Sequence, residues 1–171
     1  DHSNLRLLKH GDSIGKWDIH FQNTYITQYK PTSFTGGYDG PNSLGGNSQR
    51  QNSQTSTLYL GIRILPNGVL YINPEVAGGS GLSGALGMAG SSNGETFRIG
   101  NPSPTLYCGR FYYLHTFNLG KKSAYLAEDA NQLGDFQSPK NIKIALGKFC
   151  LGDFFDNNSY SNSPRTQFLN W

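Results

Sequence analysis

The residues able to do chemistry in this chain are its scattered carboxylates, four histidines and two cysteines, and their spacing argues against most reactions those types support. Glu75, Glu95, Glu128, Asp153 and Asp156 could supply the two carboxylates of glycoside hydrolysis, but nothing in their spacing pairs any two of them. His2, His10, His20 and His115 have no metal-ligand spacing, and neither Cys108 nor Cys150 sits in a Cys-x-x-Cys. Gly79-Ser80-Gly81-Leu82-Ser83-Gly84 matches the dinucleotide fingerprint after a strand. That strand contains Pro74, however, the helix it would open contains Gly87 and Gly90, and no acidic residue closes a second strand about 20 positions on. No catalytic residue, metal or cofactor is therefore expected. A net charge of +3, scattered along the chain without a basic patch, excludes nucleic acid as a partner.

What remains is hydrogen-bonding chemistry, and it depends on which polar side chains share a face. The strongest local signal is Thr55 to Val76, TSTLYLGIRILPNGVLYINPEV, which predicts a tight hairpin turning at Pro66-Asn67-Gly68. Leu58, Leu60, Ile62 and Ile64 share one face of its first strand, while Thr55, Thr57, Tyr59, Gly61 and Arg63 share the other. Counting outward from the turn pairs Arg63 with Tyr71, Gly61 with Asn73 and Tyr59 with Glu75, leaving Leu70, Ile72, Pro74 and Val76 as the apolar face of the second strand. Such a hairpin fits the wall of a soluble sandwich, or a sheet between lipid and a watery lumen.

The flanking segments carry the same period. Trp17 to Lys30 places Trp17, Ile19, Phe21, Tyr25 and Tyr29 opposite Asp18, His20, Gln22, Thr24 and Gln28, with only Asn23 and Ile26 off the pattern. Thr105 to Asn118 sets Tyr107, Phe111, Tyr113 and Phe117 against Cys108, Arg110, Tyr112 and Thr116, with Leu106 and Leu114 on the wrong side. In Asn141 to Leu151 the apolar parity changes after Leu146, so a bulge is expected at Gly147-Lys148 that turns Lys148 off the apolar face. Asp1 to Gly15 reads as an N-terminal arm, Pro31 to Ser53 as a long polar loop, Ala77 to Gly100 as a Gly/Ala-rich loop, and Gly120 to Lys140 as a polar connection. Strands are thus expected near 17–30, 54–65, 69–76, 105–118, 141–151 and 166–171, in a domain covering 16–171.

Composition agrees with an all-β chain: 36% hydrophobic, 15% charged, 22 Gly, 10 Tyr and 10 Phe. No run approaches the roughly 18 to 20 apolar residues of a membrane helix, but a transmembrane strand needs only about 9 to 11 residues with alternate apolar positions. Connections that run long, short and long again are the habit of outer-membrane barrels. About six strands cannot close one, since the smallest have about eight, so the expected fold is an antiparallel transmembrane β-barrel of which this chain supplies a partial set. The alternative is a soluble or surface-attached β-sandwich that binds carbohydrate. Consecutive antiparallel strands pairing Asn118 with Lys140 would also bring Cys108 opposite Cys150, give or take one residue.

Asn73-Pro74-Glu75-Val76-Ala77-Gly78-Gly79, Gly81-Leu82-Ser83-Gly84, Gly147-Lys148-Phe149, Asp153-Phe154-Phe155-Asp156-Asn157-Asn158 and Arg165-Thr166-Gln167-Phe168-Leu169-Asn170-Trp171, in that order, resemble the carbohydrate-selective porins of Gram-negative outer membranes. The resemblance runs from about Trp17 to Trp171. It implies an outer-membrane barrel passing sugars by diffusion, of which this chain is the N-terminal portion. Its partners would be the lipid bilayer, a small carbohydrate, and further copies or subunits of a membrane complex. A neutral, hydroxyl-rich solute calls for donors, acceptors and aromatic faces. By facing, the residues expected to offer them are Asp18, His20, Arg63, Asn73, Glu75, Arg110, Tyr112 and Lys148.

Overall fold

A computed structural model of the chain describes residues 5–6, 14–32, 45–85, 102–121, 124–155, 158, 160, 163 and 165. It is all-β. The strands are β1 (Leu5–Arg6), β2 (Trp17–Lys30), β3 (Gln49–Leu65), β4 (Gly68–Gly79), β5 (Thr105–Asn118), β6 (Ala124–Leu126), β7 (Asp135–Gln137) and β8 (Asn141–Lys148). A 3-10 turn at Leu82–Ala85 and a one-turn helix α1 (Gly152–Phe155) complete the described elements. Five strands form an open antiparallel sheet in the order β2-β3-β4-β5-β8, and a three-stranded sheet has the order β1-β6-β7. No helix among the described residues is long and apolar enough to cross a membrane, which says nothing of strands.

The chain divides into two compact units. The first comprises Asp1–Gln22, Thr57–Glu75 and Cys108–Asp153. Its strands keep the period of two, but with the solvent preference of a soluble sheet reversed. Thr57, Gly61, Asn73 and Glu75 are buried, whereas Trp17 is 67% exposed, Ile62 43% and Leu146 64%. The buried apolar cluster is small, made of Val69, Tyr71, Tyr112 and Leu133, with Leu114, Ala145 and Phe149 packed against it. Tyr112 lies 5.1 Å from Tyr71 and 5.9 Å from Phe149 between ring centroids, so aromatic rings share this face with the aliphatic side chains. Leu114, which breaks the polar parity of β5 in the sequence, serves this cluster.

The second unit comprises Asn23–Ser56, Val76–Tyr107 and Phe154–Trp171. Here polar side chains cross-link the strands. Asn23 Oδ1 accepts from Gln54 Nε2 at 3.1 Å and Ser56 Oγ at 2.7 Å, and Thr27 Oγ1 donates to Asn52 Oδ1 at 3.0 Å. Gly79 has φ 126°, and a Cβ there would overlap the Asn52 carbonyl and the Ser53 backbone, so only glycine allows β4 to end this close to β3. Ser80 then seals the corner, its N–H donating to Asn52 O at 3.0 Å and its hydroxyl to Gln51 Oε1 at 2.5 Å.

Several expectations need correcting. β3 begins at Gln49, so the polar loop is shorter than Pro31 to Ser53; Gln49, Gln51 and Asn52 are held in place by the side-chain bonds of the second unit. The connection between Gly120 and Lys140 is not featureless, since it folds into β6 and β7, with Tyr125 opposite Phe136 and their rings 5.1 Å apart. Part of the N-terminal arm is structured too, with Leu5 paired to Leu126 and Arg6 to Tyr125. No bulge interrupts β8: the ladder runs unbroken from Asn118↔Asn141 to Phe111↔Lys148. Gly147, at φ 130°, faces Tyr112, and a Cβ there would overlap the Phe111 carbonyl. Alternation therefore continues, and Phe149 joins Ala145 against Tyr112, an aromatic partner that local pattern could not reveal. The register falls within the one residue allowed for the cysteines, but β8 ends before Cys150, and both thiols are free and exposed. The sixth strand expected at 166–171 lies outside the described residues.

Candidate functional site

The candidate site is the polar parity of the first unit's strands. Alternation sends Asp18, His20 and Gln22 of β2, Thr57, Tyr59 and Arg63 of β3, Tyr71, Asn73 and Glu75 of β4, and Arg110 and Tyr112 of β5 off the apolar parity of their strands. Most of them are tied to a neighbour. Glu75 Oε2 accepts from Thr57 Oγ1 at 2.5 Å, in a buried pair. Tyr59 donates its hydroxyl to Gln22 Oε1 at 2.9 Å, and His20 Nε2 lies 3.2 Å from Asp18 Oδ2.

The two arginines are committed to partners from distant segments. Arg110 forks onto Asp153 of α1, with Nε 2.5 Å from Oδ2 and Nη2 2.6 Å from Oδ1, the bidentate geometry that fixes both planes. Arg63 uses all three nitrogens: Nε donates to the Gly15 carbonyl at 2.8 Å, Nη1 to Asp135 Oδ2 at 3.2 Å and Nη2 to the Gly134 carbonyl at 3.2 Å. It is a tether before it is a surface group. Asn73 is the opposite case. It is fully buried, and neither atom of its carboxamide has a hydrogen-bond partner among the described residues.

Of the eight residues selected from the sequence, Asp18, Asn73, Glu75 and Tyr112 are buried on this face and His20 is half-buried. Arg63 and Arg110 occupy the polar parity but act through Asp135 and Asp153. Lys148 is brought elsewhere. It pairs with exposed Phe111 and donates Nζ to the Cys108 carbonyl at 2.6 Å. The residues that sequence reasoning passed over are Thr57, Tyr59 and Gln22, whose parity was visible, and Tyr71, Leu133 and Asp135, whose meeting was not. Asp153 was visible as one of the scattered carboxylates and in an acidic-aromatic run, but not as the partner of Arg110.

Chemically, the arrangement offers hydroxyls, carboxylates, amides and aromatic rings, with its two arginines already matched to aspartates. Among the described residues no three His, Cys, Asp or Glu side chains group as a metal site. Comparison of the chain with protein-family models, with curated proteins and with solved structures returns no match.

Proposed function

We propose that this chain is part of the wall of an outer-membrane diffusion channel that passes carbohydrates or other small polar solutes. The observation that supports the reading best is the reversed sheet: on β2 Trp17, Ile19, Phe21, Tyr25 and Tyr29 are exposed while the residues between them on the other parity are buried or half-buried, and Ile62 and Ile64 of β3 and Ile142, Ile144 and Leu146 of β8 are exposed as well. In water this would leave unfavourable apolar surface on the outside, at roughly 25 cal/mol per Å2, and polar groups on the inside. In a bilayer the same orientation is the stable one, because the exposed face meets hydrocarbon and the polar face meets a watery lumen. A β-sandwich would instead bury Ile62, Ile64, Ile142 and Ile144 against a second sheet, and all four are exposed.

On this reading the bilayer is the first partner, and Trp17, Tyr25 and Tyr29, all exposed, serve as interfacial aromatics. The outward parity of β3 changes from Ile64, Ile62, Leu60 and Leu58 to Ser56, Gln54 and Asn52, which marks where that strand leaves hydrocarbon. A sugar needs no nucleophile to pass; the half-buried Tyr59 hydroxyl and Gln22 amide are suited to exchange hydrogen bonds with it, and the buried Thr57–Glu75 pair supports that face. Five strands fall short of the roughly eight of the smallest closed barrels, so the channel requires strands beyond this sheet. The five motifs that resemble carbohydrate-selective porins point to the Gram-negative outer membrane as the location.

The test is reconstitution. The protein should require detergent or lipid to stay dispersed, conduct ions in planar bilayers, and let sugars swell proteoliposomes. A protein that stays monodisperse without detergent, with a cysteine-reactive probe unable to reach position 62 in an Ile62→Cys variant, would sink the channel reading in favour of the sandwich.

A further inference from the structure

We propose that the segment from β6 to Ser138 is an internal constriction docked on the polar face of the sheet, and that Arg63 is the positioning residue that holds it there. This rests on the channel reading, and it concerns the connection that the sequence presents as a plain polar linker. The segment has its own order before it docks. Asp129 and Gln132 exchange backbone hydrogen bonds at 2.9 and 2.8 Å around a tight turn in which Asn131 takes φ 59°. Gln132 Nε2 closes it by donating to the Ala127 carbonyl at 2.7 Å.

Docking then uses the polar face itself. Leu133 is 3% exposed and sits in the cluster with Val69, Tyr71 and Tyr112, its N–H donating to the Tyr71 hydroxyl at 3.0 Å. Arg63 grips the next two residues, through the Gly134 carbonyl and the Asp135 carboxylate, while the Gly134 carbonyl also accepts from the Gly15 N–H at 3.0 Å. Gly134, Asp135, Gln137 and Ser138 are all buried. The segment lies over Val69, Tyr71 and Tyr112, which share the parity that faces a lumen in the channel reading, so whatever bore the strands enclose is narrowed by it. Because Arg63 spends all three nitrogens on Gly15, Gly134 and Asp135, its guanidinium sets the position of the constriction and is not itself offered to solute.

The experiment uses the full-length protein carrying this sequence, in planar bilayers, with polyethylene glycols of graded mass as size probes. Arg63→Ala, Asp135→Ala and a variant with 129–132 replaced by two glycines should raise single-channel conductance at least about twofold, since a wider bore admits more ions, and should admit polymers that the wild type excludes. Arg63→Lys, keeping one charged donor, should fall between. Loss of thermal stability without a change in conductance or size limit is what a purely structural tether gives, and in variants whose segment has become open to limited proteolysis it overturns the constriction while leaving the channel standing. A wild-type protein that inserts but conducts nothing overturns both. Should the Arg63 and Asp135 variants fail to insert, the shortened segment, which keeps both residues, decides alone.

Discussion

The backbone N–H of Leu133 donates to the hydroxyl of Tyr71 at 3.0 Å, across 62 residues of sequence, and both residues are buried. The bond ties the connection before β8 to the second strand of the hairpin. Tyr71→Phe keeps the ring against Tyr112 but leaves a buried N–H with no acceptor, which should cost about 1 to 3 kcal/mol. Urea titration gives the cost, and hydrogen exchange gives its location: protection of the Leu133 amide should fall more than that of amides in β5. Unchanged protection would mean that the hydroxyl is not what holds the segment.

That bond also marks the limit of what the sequence reveals. Period-two alternation places β2, β3, β4 and β5 within a few residues and sorts their side chains by face, because facing is a local property of an extended backbone. Asn67, with φ 64°, adopts the positive φ that Asn-Gly advertises. The role of Phe149 was misjudged for a different reason: its partner Tyr112 comes from another strand, so the apolar residue after Leu146 looked like a parity change when it is a core contact. β6 and β7 are 3 residues each, too short to carry a period; they pair with one another, and Arg63 and Tyr71 hold Asp135 and Leu133 at the start of β7 and just before it. Arg63, Arg110 and Tyr112 were therefore legible as polar-parity residues, whereas their partners were not.

On the membrane reading, Ile62 meets lipid. Ile62→Arg, on an outward position 43% exposed, should then destabilise the protein folded in vesicles by about 2 to 4 kcal/mol if it lies near the bilayer midplane. Thr57→Val, on the opposite parity, supplies the contrast, since it strips Glu75 Oε2 of a donor without touching the outward face. A penalty near zero for Ile62→Arg would place that face in water.

Arg110 and Asp153 allow a charge test with two signs. They face one another as a matched fork, so Arg110→Glu makes the locality more negative by two charges, whereas Asp153→Asn makes it more positive by one. In a salt gradient the two variants should shift the reversal potential in opposite directions, the first towards cations. If neither moves it, the fork lies off the ion path.

The cysteines give a simple count. Cys108 and Cys150 are free and exposed, and β8 ends at Lys148, before the second of them. A maleimide should add two labels to the folded protein under non-reducing conditions without denaturant, as exposed thiols do. Zero labels before reduction and two after would reveal a disulfide, and with it a shift of the chain after Lys148 towards β5.

Asn73 separates a structural role from a costly accident. It is 0% exposed, and its carboxamide has no hydrogen-bond partner among the described residues. Burying such a group without a partner costs on the order of 1 to 3 kcal/mol, so an apolar residue of similar size should recover part of that loss. Asn73→Leu is therefore expected to leave stability unchanged or raise it by about 1 kcal/mol, despite removing a polar side chain from the middle of a polar face. Asn73→Asp is the control, because it places a carboxylate two residues along the strand from buried Glu75, on the same parity, and should destabilise by more. Both changes are read by urea titration of the protein in lipid or detergent. If Asn73→Leu instead costs more than about 2 kcal/mol, the amide must be satisfied by an ordered water or by a strand beyond this sheet, since only a lost bond produces a penalty of that size at constant volume.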